Sequence, residues 1–171
     1  KLAQRLKRLK AFGIDRAHGE RSMPGLYDAV ELGFNYRMSE IHAAIGVEQM
    51  RKLPDFLQRR QANFERLGSL LAATPGLHVI PQPLNERVRS SHYCLAVLLD
   101  EDLARQRPAI MTALGKRGIG ASIYYPHPVP RMTYYREKYG DDGALYPNAA
   151  RISDGMIALP VGPHLGTDEM Q

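Results

Sequence analysis

The sequence predicts an α+β domain from about residue 55 onward, preceded by a helix, a long irregular segment and a second helix. Three observations carry this. Apolar residues recur at helical spacing in residues 2–12 and 41–71; the period changes to that of strands at Leu77–Pro81, Ser91–Leu99 and Ile119–Tyr125; and helical signals return between and after these strands.

Leu2, Leu6, Leu9 and Phe12 define the first helix, with basic residues between them and Gly13 as its stop. No Ser, Asp or Pro stands ahead of this helix, which suggests a sequence cut from something longer. From Ile14 to Met38 the chain is rich in Gly, Pro and charge without periodicity and is expected to be irregular. Ser39 and Glu40 supply a cap and a first-turn acid for the next helix. Its apolar residues Ile41, Ala43, Ala44, Ile45, Val47 and Met50 occupy two adjoining faces, so it is expected to be largely buried. Pro54 is expected to interrupt it, and Phe56, Arg60, Phe64, Leu67 and Leu71 mark a new helix ending before Pro75-Gly76.

Leu77–Pro81 then reads as a short strand and Ser91–Leu99 as a buried one. Pro108 suits the first turn of a helix carrying Ile110, Met111 and Leu114 and closed by Gly118. Ile119–Tyr125 is the next expected strand, followed by short helices at Met132–Tyr139 and Asn148–Met156; Gly166–Met170 looks like a final helix just beginning.

The 171 residues, 44% hydrophobic and 24% charged, have the composition of an ordinary globular protein. The longest apolar stretch, Cys94–Leu99, is far short of a membrane span, and the N-terminus lacks a secretory signal, so no membrane partner and a cytoplasmic location are expected. Cys94 is the single cysteine, which excludes an internal disulfide and any multi-cysteine zinc site. The six histidines show no metal-ligand spacing, so no metal is expected. The net charge of +5 is dispersed, with Glu40, Glu48, Asp55 and Glu65 among the basic residues of the second helical region, and no aromatic-basic stripe accompanies it. Nucleic acid is therefore not an expected partner.

Two constellations concentrate chemistry. Gly33-Phe34-Asn35-Tyr36-Arg37-Met38-Ser39-Glu40 places an amide, a phenol and a guanidinium just ahead of a helix; Asn35 and Arg37 there can bind phosphate or carboxylate, or Asn35 caps a turn and Arg37 pairs with Glu40. Tyr124-Tyr125-Pro126-His127-Pro128-Val129-Pro130-Arg131 forms a rigid aromatic turn, either a recognition surface or a pair of packing tyrosines. Tyr134, Tyr135, Arg136 and Tyr139 either extend it or belong to an amphipathic helix with a snorkelling arginine. Gly118-Ile119-Gly120 follows a helix and precedes a strand, the reverse of a dinucleotide loop.

Together, Leu6-Lys7-Arg8-Leu9-Lys10-Ala11-Phe12-Gly13, the Gly33–Glu40 run and Ala43-Ala44-Ile45-Gly46 resemble the DegT/StrS-type sugar aminotransferases. Ser91-His92-Tyr93, Gly118-Ile119, Tyr124-Tyr125-Pro126 and Leu159-Pro160-Val161 continue the resemblance over nearly the whole chain. It implies an α/β parent of PLP-transferase fold type I, of which this chain holds the end of the large cofactor domain (residues 1–54) and a small α+β C-terminal domain (residues 55–171). The implied activity is transfer of an amino group from glutamate to a keto sugar, usually nucleotide-linked, with pyridoxal 5'-phosphate as cofactor, in amino-sugar or surface-polysaccharide biosynthesis.

The resemblance also implies a homodimer with shared active sites, in which Asn35 reaches the cofactor phosphate of the partner subunit. Arg37, Tyr124, Tyr125 and His127 are candidate substrate contacts. No catalytic residue is assigned in this chain: the family's Schiff-base lysine and the acid facing the pyridine nitrogen precede the first helix, so the isolated chain is expected to be inactive. The sequence departs from the family at Pro130, where many members carry histidine, which leaves the substrate open. A related pyridoxamine-phosphate sugar dehydratase and a non-catalytic dimerisation module are the alternatives.

Overall fold

The computed structural model describes residues 1–15, 23, 25–81, 87–140 and 145–171. The parts of the irregular segment at residues 16–22 and 24 lie outside them. The chain forms two compact units, Lys1–Arg51 and Lys52–Gln171.

The first unit opens with helix α1 (Leu2–Leu9). Its end is fixed by a close backbone crossing. Gly13 takes φ +71°, and a Cβ on it would stand 1.8 Å from the Glu31 carbonyl oxygen; a Cβ on Gly33 would stand 2.0 Å from the Gly13 nitrogen. Only glycine at both positions lets the returning segment lie this close. Arg5 and Arg8 hold that segment through Glu31, at 3.3 and 3.5 Å.

Helix α2 (Glu40–Ala72) begins at Ser39, whose Oγ accepts the His42 amide at 3.3 Å, as the sequence led one to expect of a cap. Two expectations fail here. Pro54 does not divide the helix but lies inside its 33 residues. The carbonyl that loses its helical donor belongs to Met50, which is 65% exposed and open to solvent, while Phe64, Leu67 and Leu71 beyond Pro54 pack against the core and favour continuing the helix. Nor is the start of α2 buried: Ile41, Ile45, Val47 and Met50 are 75, 55, 52 and 65% exposed. Apolar density on two faces signals a surface that is to be covered, and among the described residues nothing covers this one.

The second unit is built on an antiparallel sheet in the order β1 (Leu77–Val79), β2 (Leu95–Leu99), β3 (Met156–Leu159). Leu77 pairs with Leu99 and Val97 with Ile157. Leu95, Val97 and Leu99 alternate into the core, where they meet Ile157, Leu159, Val161 and Met170, and Phe64, Leu67 and Leu71 of α2 pack against the same cluster. Helices α3 (Glu101–Arg105) and α4 (Arg107–Lys116) follow β2; α4 adds Ile110, Met111 and Leu114 to the core. Helices α5 (Thr133–Tyr139) and α6 (Pro147–Gly155) precede β3, and a 3-10 turn at Thr167–Met170 follows it.

The expected strand Ser91–Leu99 is shorter because His92 adopts φ +45°, outside the extended region. The expected strand Ile119–Tyr125 reduces to one bridge, Ser122 with Ala158, between Gly120 and Pro126. Glycine weakens a ladder and proline lacks its donor. Met156 belongs to β3 and not to the preceding helix.

Candidate functional site

In the first unit, the segment carrying Asn35 is registered against the end of α1. Phe34 donates its amide to the Leu9 carbonyl at 2.7 Å, Phe12 to Phe34 at 3.0 Å and Tyr36 to Lys10 at 2.9 Å, so that Asn35 bridges Ala11. The backbone of Asn35 is thus fixed by its neighbours while its side chain is exposed. Arg37 lies 5.5 Å from the centroid of the Phe12 ring, a cation–π arrangement instead of the pairing with Glu40 that was one alternative. Phe34 and Tyr36 stack at 5.1 Å. Asn35 and Arg37 therefore stand on one short, backbone-locked segment that runs into the α2 N-terminus.

The second unit holds the aromatic turn. Tyr124 and Tyr125 are joined by a cis peptide bond, with ring centroids 5.7 Å apart. Tyr125 is 70% exposed, so it is not a packing residue of this unit. His127 is exposed, while the next residue, Pro128, is buried and seats the turn. A 3-10 turn at Val129–Arg131 carries Arg131 to Asp154 on α6, where Nη1 donates to Oδ1 at 2.9 Å and Oδ2 at 2.8 Å. The turn is pinned at both ends of its second half and presents Tyr124, Tyr125 and His127 from that base.

Beside Tyr124 lies a cavity of about 260 Å³ lined by Arg60, Tyr93, Cys94, Ser122, Tyr124 and His164, among others. The Tyr93 and Tyr124 rings stack at 6.4 Å, and the Arg60 guanidinium stands 6.0 Å from the Tyr93 centroid. Hydrogen bonding with Tyr124 and repulsion from its charged form hold the Tyr93 phenol above its ordinary pKa, and burial pushes the Cys94 thiol up. Arg60, Ser122 and His164 are absent from the sequence expectations for the site. The signal for Arg60 was available: it is the one cation in the stripe Phe56, Arg60, Phe64, Leu67, Leu71. Ser122 and His164 carry no comparable local pattern.

Among the described residues no three His, Cys, Asp or Glu side chains are placed to hold a metal ion, and no helix is long and apolar enough to cross a membrane.

All of residues 1–171 match the DegT/DnrJ/EryC1/StrS aminotransferase family. The chain is 27% identical over 180 residues to the uncharacterized protein MJ1066 of Methanocaldococcus jannaschii, covering 99% of this chain and 44% of that protein. Its fold is similar to that of Helicobacter pylori PseC, an aminotransferase involved in the biosynthesis of pseudoaminic acid, at a TM-score of 0.85 and 22% identity over 99% of this chain and 43% of PseC. It is also similar to Spr1654 of Streptococcus pneumoniae at 26% identity and 99% coverage of this chain. The TM-score is 0.81 for the PLP form, over 40% of that chain, and 0.84 for the PMP form, over 42%. The chain thus spans less than half the length of each of these relatives.

Proposed function

Since the chain belongs to the DegT/DnrJ/EryC1/StrS aminotransferase family, we propose that the protein moves an amino group from glutamate onto a nucleotide-linked keto sugar, with pyridoxal phosphate as cofactor, at a site shared between two copies in the cytoplasm. The reading places the protein in amino-sugar or surface-polysaccharide biosynthesis. The observation that carries it is the backbone-locked segment at Asn35.

The donor set fits the phosphate end of the cofactor. Asn35 offers an exposed amide, its backbone is held against Ala11, and no described side chain occupies it. An amide N–H on a fixed segment is an economical phosphate donor because little conformational freedom is lost on binding. Bound pyridoxal phosphate supplies the electron sink for amino transfer. On this reading Asn35 holds the phosphate, Arg37 offers guanidinium donors to the substrate, and Tyr124, Tyr125 and His127 form a rigid wall that orients the sugar. The lysine that attaches the cofactor is not assigned to any residue of this chain.

A second copy is the proposed cover for the exposed Ile41, Ile45, Val47 and Met50, since apolar patches of this kind mark association surfaces. Asn35 lies in the same unit as that surface, which supports its serving the partner's cofactor.

The test supplies the complete protein with pyridoxal phosphate, isotopically labelled glutamate and a nucleotide-linked keto sugar, and identifies the product by mass spectrometry. The expected product is an amino sugar carrying the label. A deoxy sugar without nitrogen identifies the related dehydratase instead, and an unchanged sugar with intact dimers identifies a dimerisation module.

A further inference from the structure

The cavity beside Tyr124 carries one cation, Arg60, together with hydroxyl-bearing residues and an imidazole. Its lining residues include Arg60, Tyr93, Tyr124, Ser122 and His164, and none of them carries a carboxylate. Among the described residues, Nε of Arg60 is sealed from solvent without a hydrogen-bond partner, and no carboxylate pairs with this residue. A partly buried guanidinium is normally matched by an anion. Here the face of the Tyr93 ring supplies partial compensation.

The wall carrying His164 is built in place. Asn63, 1% exposed and three residues after Arg60 on α2, donates its amide to the carbonyls of Gly162 at 3.1 Å and Leu165 at 3.0 Å. Gly162 leaves room for the His164 ring: a Cβ there would stand 2.5 Å from Cε1 and 2.7 Å from Nδ1. One helix therefore positions both the cation and, through a buried amide, the loop that faces it.

We propose that this cavity is an oxyanion subsite, taking a phosphoryl or carboxylate group between Arg60, Tyr93, Ser122 and His164. Its volume of about 260 Å³ accommodates either group with a few waters of about 30 Å³ each. The arginine supplies charge and directed donors, a hydroxyl and a ring N–H supply further donors, and the absence of a lining carboxylate removes the competing acceptor. The proposal concerns residues of the second unit alone, and although Tyr124 is shared with the wall proposed for the sugar, its test reads binding and not amination.

The experiment is equilibrium dialysis of the purified protein, without cofactor, against labelled inorganic phosphate and, in parallel, labelled glutarate. Saturable binding of either is expected, and the tighter probe identifies the source as phosphoryl or carboxylate. Arg60→Gln and Gly162→Ala should weaken it roughly tenfold or more, the second by displacing His164. Arg59→Gln makes the same charge change on the same helix, away from the cavity lining, and should leave binding unaltered. Should Arg60→Gln fail to fold, Tyr93→Phe replaces it, because Tyr93 is 66% exposed and loses only its hydroxyl; severalfold weaker binding is expected. The proposal is overturned if neither probe binds saturably, if Arg59→Gln weakens binding as much as Arg60→Gln, or if the folded cavity variants bind as the unsubstituted protein does. Because no turnover is read, such a failure leaves the proposed amination standing.

Discussion

The side-chain amide of Asn63, in the middle of α2, donates to the main-chain carbonyl of Gly162 at 3.1 Å. A second bond to Leu165 at 3.0 Å makes this buried amide the clamp of the loop that follows β3. Replacing Asn63, itself 1% exposed, by Ala leaves two part-buried carbonyls without that donor. The variant should lose about 2–3 kcal/mol of stability, a large share of a domain's total. Denaturant unfolding measures it, and a loss under about 0.5 kcal/mol would show that the clamp contributes nothing beyond ordinary surface effects.

Cys94 gives a pH-dependent signature. Burial disfavours its thiolate and raises its pKa, so at neutral pH a smaller fraction is ionised than in a free thiol. Alkylation in the folded protein should therefore be slower than for a cysteine peptide near neutrality and accelerate with rising pH into the alkaline range. Equal rates, or an acceleration complete by neutral pH, would contradict the assignment. Because the folded pKa is raised, ionisation favours the unfolded chain: the folded preference for the neutral thiol is intact below the ordinary thiol pKa and is lost as pH climbs through the folded value.

Tyr125 tests the proposed wall. Its 70% exposure means that Tyr125→Ala removes little packing, so effects on turnover can be read as effects on substrate. In the complete protein the half-reaction with the keto sugar should fall about tenfold while the half-reaction with glutamate is spared. Single-turnover measurement of each half-reaction separates them. A common fall in both, or no change in either, would remove Tyr125 from sugar recognition.

What could be read from residue order, and what could not, divides along physical lines. The apolar density of Ser91–Leu99 and the α2 stripe Phe64, Leu67, Leu71 are local patterns, and they emerge as the core. The four-residue β3, by contrast, is too short to show a period and follows directly on α6. The exposed face of Ile41, Ile45, Val47 and Met50 shows the limit from the other side: an amphipathic pattern says that a face is to be covered but not by what. Among the candidate residues, Asn35 in the first unit and Tyr124-Tyr125 in the second were each legible as motifs. The cavity of Arg60, Tyr93, Ser122 and His164 was not, because its members are brought together from four separate segments and only the folded chain assembles them.

Amino transfer at a site to which one copy lends Asn35 and the other the cofactor can be read out by complementation between two inactive subunits. One subunit of the complete protein carries Asn35→Ala; the other lacks the lysine that attaches the cofactor. An amide donor to phosphate contributes about 1.5–3 kcal/mol, so the first alone should bind cofactor roughly one to two decades more weakly. If Asn35 serves the partner, a mixed dimer places both defects in one site and leaves the other with an intact lysine and an intact Asn35. Transfer of label from glutamate to the keto sugar should then return on mixing, in proportion to the mixed dimer formed. Mixed dimers that assemble and stay as inactive as their parents would show that Asn35 does not act across the interface.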